Sequence, residues 1–327
     1  MIKKISRKAP LFIAAGMAFA LVLAGCDGSG SPAERGPPTF TVTFNSAGGS
    51  PVASQTVPQD GSLATEPADP LGVPGAGLWY NNVPAFVEWR HEGTAWDFAT
   101  DIVTGNITLT AHWDGPAVEP TGVAANDVAA AVAYVNDNAD PDREFTLAIS
   151  QDVAVSGHAA LTSNTNLTII GLGGQREIRH TGRWAIFSVG YGGAAISNVR
   201  LTLGNGITLT RGPAPQDGVL VWIEGNNTFV MEDGSKITGN NCNGGAGIPR
   251  GAVYIRAAST FNMKGGTITG NHASLGHVNE VAGVLVRGTL NQTGGSITGN
   301  TTIATNAHPN VRVDGGTRTG IGGTGNS

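Results

Sequence analysis

The sequence predicts a mainly-β chain, a small sheet domain followed by a solenoid of short strands, and three observations predict it. Lys236-Ile-Thr-Gly-Asn240 returns as Thr267-Ile-Thr-Gly-Asn271 and Ser296-Ile-Thr-Gly-Asn300, at spacings of 31 and 29 residues. The 327 residues include 49 glycines and only 13% charged side chains, a composition of tight turns between short strands. Phe40-Thr-Val-Thr-Phe-Asn45 and many later segments alternate apolar and polar side chains with period two. Hydrophobic residues make up 40% of the chain, so low charge here does not signal disorder, which pairs weak hydrophobicity with high net charge.

The N-terminus carries Lys3, Lys4, Arg7 and Lys8, then an apolar run from Pro10 to Val22, then Leu23-Ala-Gly-Cys26. A basic stretch, a short apolar stretch and small residues make a signal peptide over residues 1–25. The apolar run is short for a transmembrane span. Leu23 to Cys26 resembles the lipobox of bacterial lipoproteins. That resemblance implies cleavage after residue 25 and a lipid on Cys26. It also implies a chain held in the cell envelope, at the outer membrane or cell surface or facing the periplasm. Two or three acyl chains give stable anchoring where one does not. Residues 26–38, rich in Gly, Ser and Pro, read as a flexible tether.

Loss of the signal removes four positive charges and no negative ones, so a net charge of −5 falls to −9. An acidic mature chain argues against nucleic acid as a partner. With Cys26 committed to lipid, Cys242 has no cysteine to pair with and reads as a buried or half-buried small side chain.

Order is expected from Thr39. Phe40–Asn45 and Pro51–Val57 form a hairpin around Ala47-Gly48-Gly49, and a second strand pair lies near Phe86–Trp89 and Ile107–Trp113. Val42-Thr-Phe-Asn-Ser46 with Gly48-Gly49, Ala95-Trp-Asp-Phe98 and Ile107-Thr-Leu-Thr-Ala-His-Trp113 resemble, in order and spacing, the Listeria–Bacteroides repeat (the internalin B-repeat). The resemblance covers residues 39–113 and implies a β-grasp-like fold acting as a spacer or adhesion module. Leu71–Asn82 departs from it as an insertion before the third strand. Trp96, Phe98 and Trp113 fall inside the matching blocks and are assigned to the core.

Pro116 and Pro120 mark a linker over residues 114–122, and a solenoid domain follows over 123–320, with a disordered tail at 321–327. Ala124–Val135 is the one convincing helix of the mature chain, with Asn126 as N-cap, Asp127 in the first turn and Val128, Val132 and Val135 on one face. Its expected role is to cover the open end of the core. Strands follow at Phe145–Ile149, Val153–Val155, Leu167–Ile170, Ala185–Val189 and Val199–Leu203. Each explicit repeat adds two more alternating strands upstream, so three strands make one coil. Stacked coils, ~4.8 Å apart, share one continuous core. Asparagines at one turn can hydrogen-bond along the stack and tolerate a left-handed backbone. The pattern resembles the right-handed parallel β-helix of the pectin-lyase-like superfamily over about residues 120–320, and the handedness is implied by that resemblance alone. Extra residues at 241–250 and 272–280 are expected to bulge from one side.

Polysaccharide-cleaving relatives of that fold need convergent carboxylates, or Ca²⁺ ligands with a base. Here Asp217, Glu224, Glu232, Asp233, Glu280 and Asp314 are scattered, and the polygalacturonase blocks are missing. Gly276-His277 reads as a solvated loop, and Asp137, Asp140 and Asp142 as a turn. No catalytic group, metal site or cofactor is assigned. The binding candidates are aromatic. Trp222 and Tyr254 take the outward phase of successive coils, as a ladder for a sugar chain or peptide, while Trp79 and Tyr80 in the insertion are the exposed candidates of the first domain. The expected function is a non-enzymatic adhesion, ligand-binding or scaffolding module with a glycan or a host or extracellular protein as ligand. The rival is a polysaccharide lyase or glycoside hydrolase on the β-helix.

Overall fold

The structure, a computed structural model, describes residues 38–59, 63–73, 75–80, 84–115, 119–192, 195–212, 218–242, 251–274, 280–304, 307–321, 323 and 325–327. The signal, Cys26, nearly all of the tether, Gly276-His277 and most of the two expected bulges lie outside the described residues.

The first domain is built on β1 (Thr39–Asn45), β2 (Gln55–Pro58), β4 (Ala85–His91), β5 (Thr94–Ala95) and β6 (Ile107–Asp114), in sheet order β2-β1-β6-β4-β5. β1 and β2 form the expected hairpin, β4 pairs antiparallel with β6, and β1 runs parallel to β6. Alternation puts Val42 and Phe44 on the inner face beside Leu109, and Trp89 fills the centre against the Phe44 ring at 4.9 Å. Trp96, Phe98 and Trp113 pack around this cluster, as the family blocks imply. Trp113 Nε1 donates to the Ser46 carbonyl, and a Cβ on Gly49 would lie 2.3 Å from the Trp113 ring, which accounts for a glycine in that turn.

The insertion leaves this sheet. Its strand β3 (Gly77–Tyr80) pairs antiparallel with β8 (Phe145–Ile149), the first strand of the solenoid, and with β7 (Glu119–Pro120) on its other edge. Leu78 enters the solenoid core, while Leu71 and Val73 pack with Ala148 and Ile170 on the sheet's outer face. Leu71 is also tied to Ser50 of the first domain by two hydrogen bonds, so the segment joins both domains.

Helix α1 (Val128–Asp137) follows, and its buried residues Val128, Ala131, Val132 and Val135 belong to the solenoid core. Its N-cap is Asp127, whose side chain accepts from Ala130 N, one residue later than expected. Asn126 instead takes a left-handed backbone (φ 64°) and accepts from Ser150 N, fastening the helix start to the end of β8.

After β9 (Val153–Val155) the chain makes a parallel β-solenoid of about five turns. The coils are β10 (Ala159–Leu161), β11 (Asn166–Gly171) and β12 (Arg176–His180); then β13 (Phe187–Val189), β14 (Ser197–Leu203) and β15 (Ile207–Arg211). Four-strand coils follow: β16 (Val221–Ile223), β17 (Asn226–Met231), β18 (Lys236–Ile237) and β19 (Asn241–Cys242); β20 (Val253–Ile255), β21 (Thr260–Met263), β22 (Thr267–Ile268) and β23 (His272–Ala273). The last full coil is β24 (Val284–Val286), β25 (Thr289–Gln292), β26 (Ser296–Ile297) and β27 (Thr301–Thr302), before β28 (Val311–Val313) and β29 (Thr317–Gly320). Thus β10, β12 and β15 escape the sequence reading, and the explicit repeats hold four strands where three are expected.

Parallel register stacks like on like. Leu167, Leu201, Phe229, Phe261 and Leu290 form one inward column, and Ile178, Leu209, Ile237, Ile268 and Ile297 another. Each such burial is worth about 1.5–3 kcal/mol. The first column ends on Arg318, opposite Leu290, whose guanidinium bonds to Gln292 and to the Gly325 carbonyl. At the end of the stretch expected to be a disordered tail, Ser327 exchanges backbone hydrogen bonds with Val311. Cys242 is free and buried, as the sequence implies.

Candidate functional site

A row of outward side chains runs along the sheet of β10, β13, β16, β20, β24 and β28. Register places Ala160, Ser188, Trp222, Tyr254, Leu285 and Arg312 in this row, one per coil. Trp222 and Tyr254 do meet, edge to face at 5.3 Å. They do not make an open ladder. Tyr254 is only 5% exposed, covered by Val281 and Leu285, with the Arg287 guanidinium 5.9 Å over its ring. The Tyr254 hydroxyl accepts from Arg287, which also bonds Asp314. Tyr254 is a packing residue.

The row drops in height at Ala160 and Ser188, two small side chains, and the space before Trp222 becomes a cavity of about 330 Å³. Turns supply its walls. His158 comes from the turn into β10, Trp184 from the loop before β13, Tyr191 from the turn after β13, and Glu224 from the end of β16. Trp184 and Tyr191 are 57% and 55% exposed, while Glu224 is 6% exposed and Ser188 is buried. The cavity therefore has an aromatic rim and a polar interior.

Each polar group is positioned. Glu224 binds Arg256 through Oε2 at 2.7 Å and accepts from Gly192 N through Oε1. His158 Nε2 and Ser188 Oγ lie 2.5 Å apart, and the His158 ring meets Tyr191 edge to face at 4.8 Å. The solvent-facing edge of His158 is open. Partial burial, with a smaller contribution from His180 and against the opposing pull of Glu224, pushes the His158 pKa down and favours the neutral ring. Trp222 Nε1 is buried with no acceptor among the described residues.

Trp184 is held under strain. Its backbone is left-handed (φ 71°), unusual for a bulky residue. Its carbonyl accepts from buried Arg211 at 2.6 Å, and the backbone of Gly218 packs so closely against it that a Cβ would fall 2.9 Å from the Trp184 Cα.

Trp79 and Tyr80 stand apart from this cavity, on β3 in another sheet. Trp79 is half-buried among Leu71, Val73 and Leu172, its Nε1 bonded to the Gly75 carbonyl. Tyr80 packs on Phe145 and bonds Glu119 through its hydroxyl, which raises the Tyr80 pKa. Both are half-buried rather than fully exposed, and neither reaches the cavity. Glu232 and Asp314, two of the scattered acids, pair with Lys264 and Arg287. Of the expected ligand residues only Trp222 lines the cavity; the remaining wall residues went unassigned in the sequence. One signal was available: stepping the Trp222 column back one coil lands on Ser188 and exposes the gap.

The family model of the Listeria–Bacteroides repeat domain matches residues 40–73 and 84–112. The unmatched stretch between them contains β3, the strand that crosses to the solenoid. No curated protein and no solved structure matches the chain. The repeat points to a surface or extracellular repeat protein.

Proposed function

We propose that this chain is a lipid-anchored protein of the bacterial cell envelope, held by an acyl group on Cys26, that displays its solenoid as a non-enzymatic binding module for adhesion or scaffolding. The observation that carries the binding reading is the aromatic-rimmed cavity of His158, Trp184, Ser188, Tyr191, Trp222 and Glu224. Exposed rings around a few fixed polar groups are the usual make-up of a small-ligand site. The anchor is supported by the run from Leu23 to Cys26 and the basic-then-apolar stretch before it.

The test joins both halves. In detergent partitioning of the producing cells, Cys26→Ala should move the chain out of the membrane fraction or leave an unprocessed precursor. A mutant that is processed and still membrane-bound overturns the anchor. Full chain spread on glycan and extracellular-matrix arrays should retain at least one class of ligand, and blank arrays overturn the binding reading.

A hydrolytic reading draws on one observation, the His158–Ser188 contact, which resembles a base beside a hydroxyl nucleophile. A glycoside hydrolase needs two carboxyl groups flanking the bond, and Glu224 is the one acid among the described residues that line the cavity. Incubation with pectate, pectin and other uronic-acid polymers, with and without Ca²⁺, should yield no new reducing ends or unsaturated products.

A further inference from the structure

We infer that the cavity beneath Trp184 and Tyr191 is a binding site for one ring of a neutral saccharide. The inference rests on the surface-binding reading and names its ligand class.

Size comes first. A volume of about 330 Å³ lies at the lower end of the ~300–1,000 Å³ span of small-ligand sites. That suits a single pyranose with its neighbours in solvent. A pyranose presents C–H faces and a girdle of hydroxyls. Exposed indole and phenol rings match the first, because an aromatic face packs on apolar surface while its edge stays wet. Glu224, Ser188 and His158 match the second. A carboxylate accepts from hydroxyls, and a serine or neutral imidazole both gives and takes a proton in hydrogen bonds.

Charge decides between ligand classes. The Glu224 carboxylate already has Arg256 at 2.7 Å, and His158 favours its neutral form. An acidic sugar would meet a carboxylate with its cation already engaged. A quaternary ammonium would suit the aromatic rim but offers no hydrogen bond to Ser188 or His158. A neutral polyol uses both kinds of wall.

Strain is the second observation. A bulky residue held left-handed costs of order 1–3 kcal/mol, and Trp184 does not recover this by burial, since the residue is 57% exposed. Arg211 fixes the Trp184 carbonyl while also bonding the Gly182 and Val219 carbonyls and Asn240. A buried network thus holds an indole out at the cavity rim. Positioning for an external ligand explains the arrangement.

The full chain, purified in a polyoxyethylene alkyl ether detergent that carries no sugar, is titrated by calorimetry with glucose, galactose, mannose and N-acetylglucosamine. Galacturonate and choline are the charged probes. At least one neutral sugar should bind saturably. Trp184→Ala and Tyr191→Ala should each weaken it tenfold or more with little change in thermal midpoint, since both rings are exposed. Glu224→Gln should weaken it less than either. Binding by no neutral sugar, binding that survives both aromatic substitutions, or tighter binding of galacturonate or choline overturns the assignment. Membrane partition and array retention are read separately, so loss of sugar binding alone does not count against surface display.

Discussion

Asn240, Asn271 and Asn300 each follow a glycine at φ near 67° (67°, 66° and 67°). The glycine takes the left-handed backbone that the sequence reading gave to asparagine, and this frees each asparagine side chain to run along the stack. Asn240 N donates to Asn271 Oδ1, Asn271 N to Asn300 Oδ1, and Asn300 N to Asn310 Oδ1. Arg211 starts the series by donating to Asn240 Oδ1, which links the ladder to the Trp184 carbonyl. The three asparagines are buried, so a missing partner is not replaced by water. Asn271→Ala strips Asn240 N of its acceptor and should cost about 1–3 kcal/mol. An outer series, Asn262–Asn291–Thr319, is half-buried or exposed, and Asn291→Ala should stay within about 0.5 kcal/mol. Urea unfolding of the full chain compares the two; equal effects would show that the inner ladder is no better shielded than the outer one.

At the scale of the element, β3 is the segment that the first domain's pattern does not explain. It covers the β8 edge of the solenoid's parallel strands by running antiparallel to β8, with Leu78 opposite Leu147 and β7 on its own outer side. An open edge of unpaired N–H and C=O groups is a template for unwanted pairing, and covering it removes that hazard. Leu78→Ala should cost about 2–5 kcal/mol, as for other buried leucines. Amide hydrogen exchange should accelerate across Phe145–Ile149, whereas Val87→Ala on the exposed side of β4 should leave it unchanged. Unaltered protection of β8 in the Leu78 variant would mean that β3 is not the sheet's cap. Legibility also belongs to this scale. β8 and β9 are plain in the sequence because apolar residues recur at period two over the whole strand. β10 and β12 are not, because Ala159-Ala-Leu161 shows no contrast between bulky and small side chains at alternate positions and Arg176–His180 carries charge on its outer positions. The cavity is less legible still. Its residues come from strands and turns of three successive coils, only the last of which belongs to the explicit repeat, and only stacking brings His158, Ser188 and Glu224 together.

Over the whole molecule, stability lies in contacts between coils, since each coil buries its apolar side chains only against the next. Ile268 shows the consequence. It is fully buried between Ile237 and Ile297 in register, one coil short of the end of a column that runs from Val153 to Ile297. A carboxylate there would have hydrocarbon above and below and no cation or water to meet it. The cost is at least several kcal/mol, whether taken as desolvation or as forced protonation. Thr269 is the next residue along the chain, so its side chain faces the other way and is only half-buried. Ile268→Asp should therefore collapse the solenoid and Thr269→Asp should be tolerated. Damage from Ile268→Asp should spread in both directions, because β18 and β26 each lose their partner's packing. The first domain has its own core around Trp89 and should keep its fold. Thermal melts of the two variants, with hydrogen exchange to locate the loss, decide it. Equal destabilisation by both, or by neither, contradicts the inward column. Loss confined to one coil contradicts the view that the coils stand only by leaning on one another.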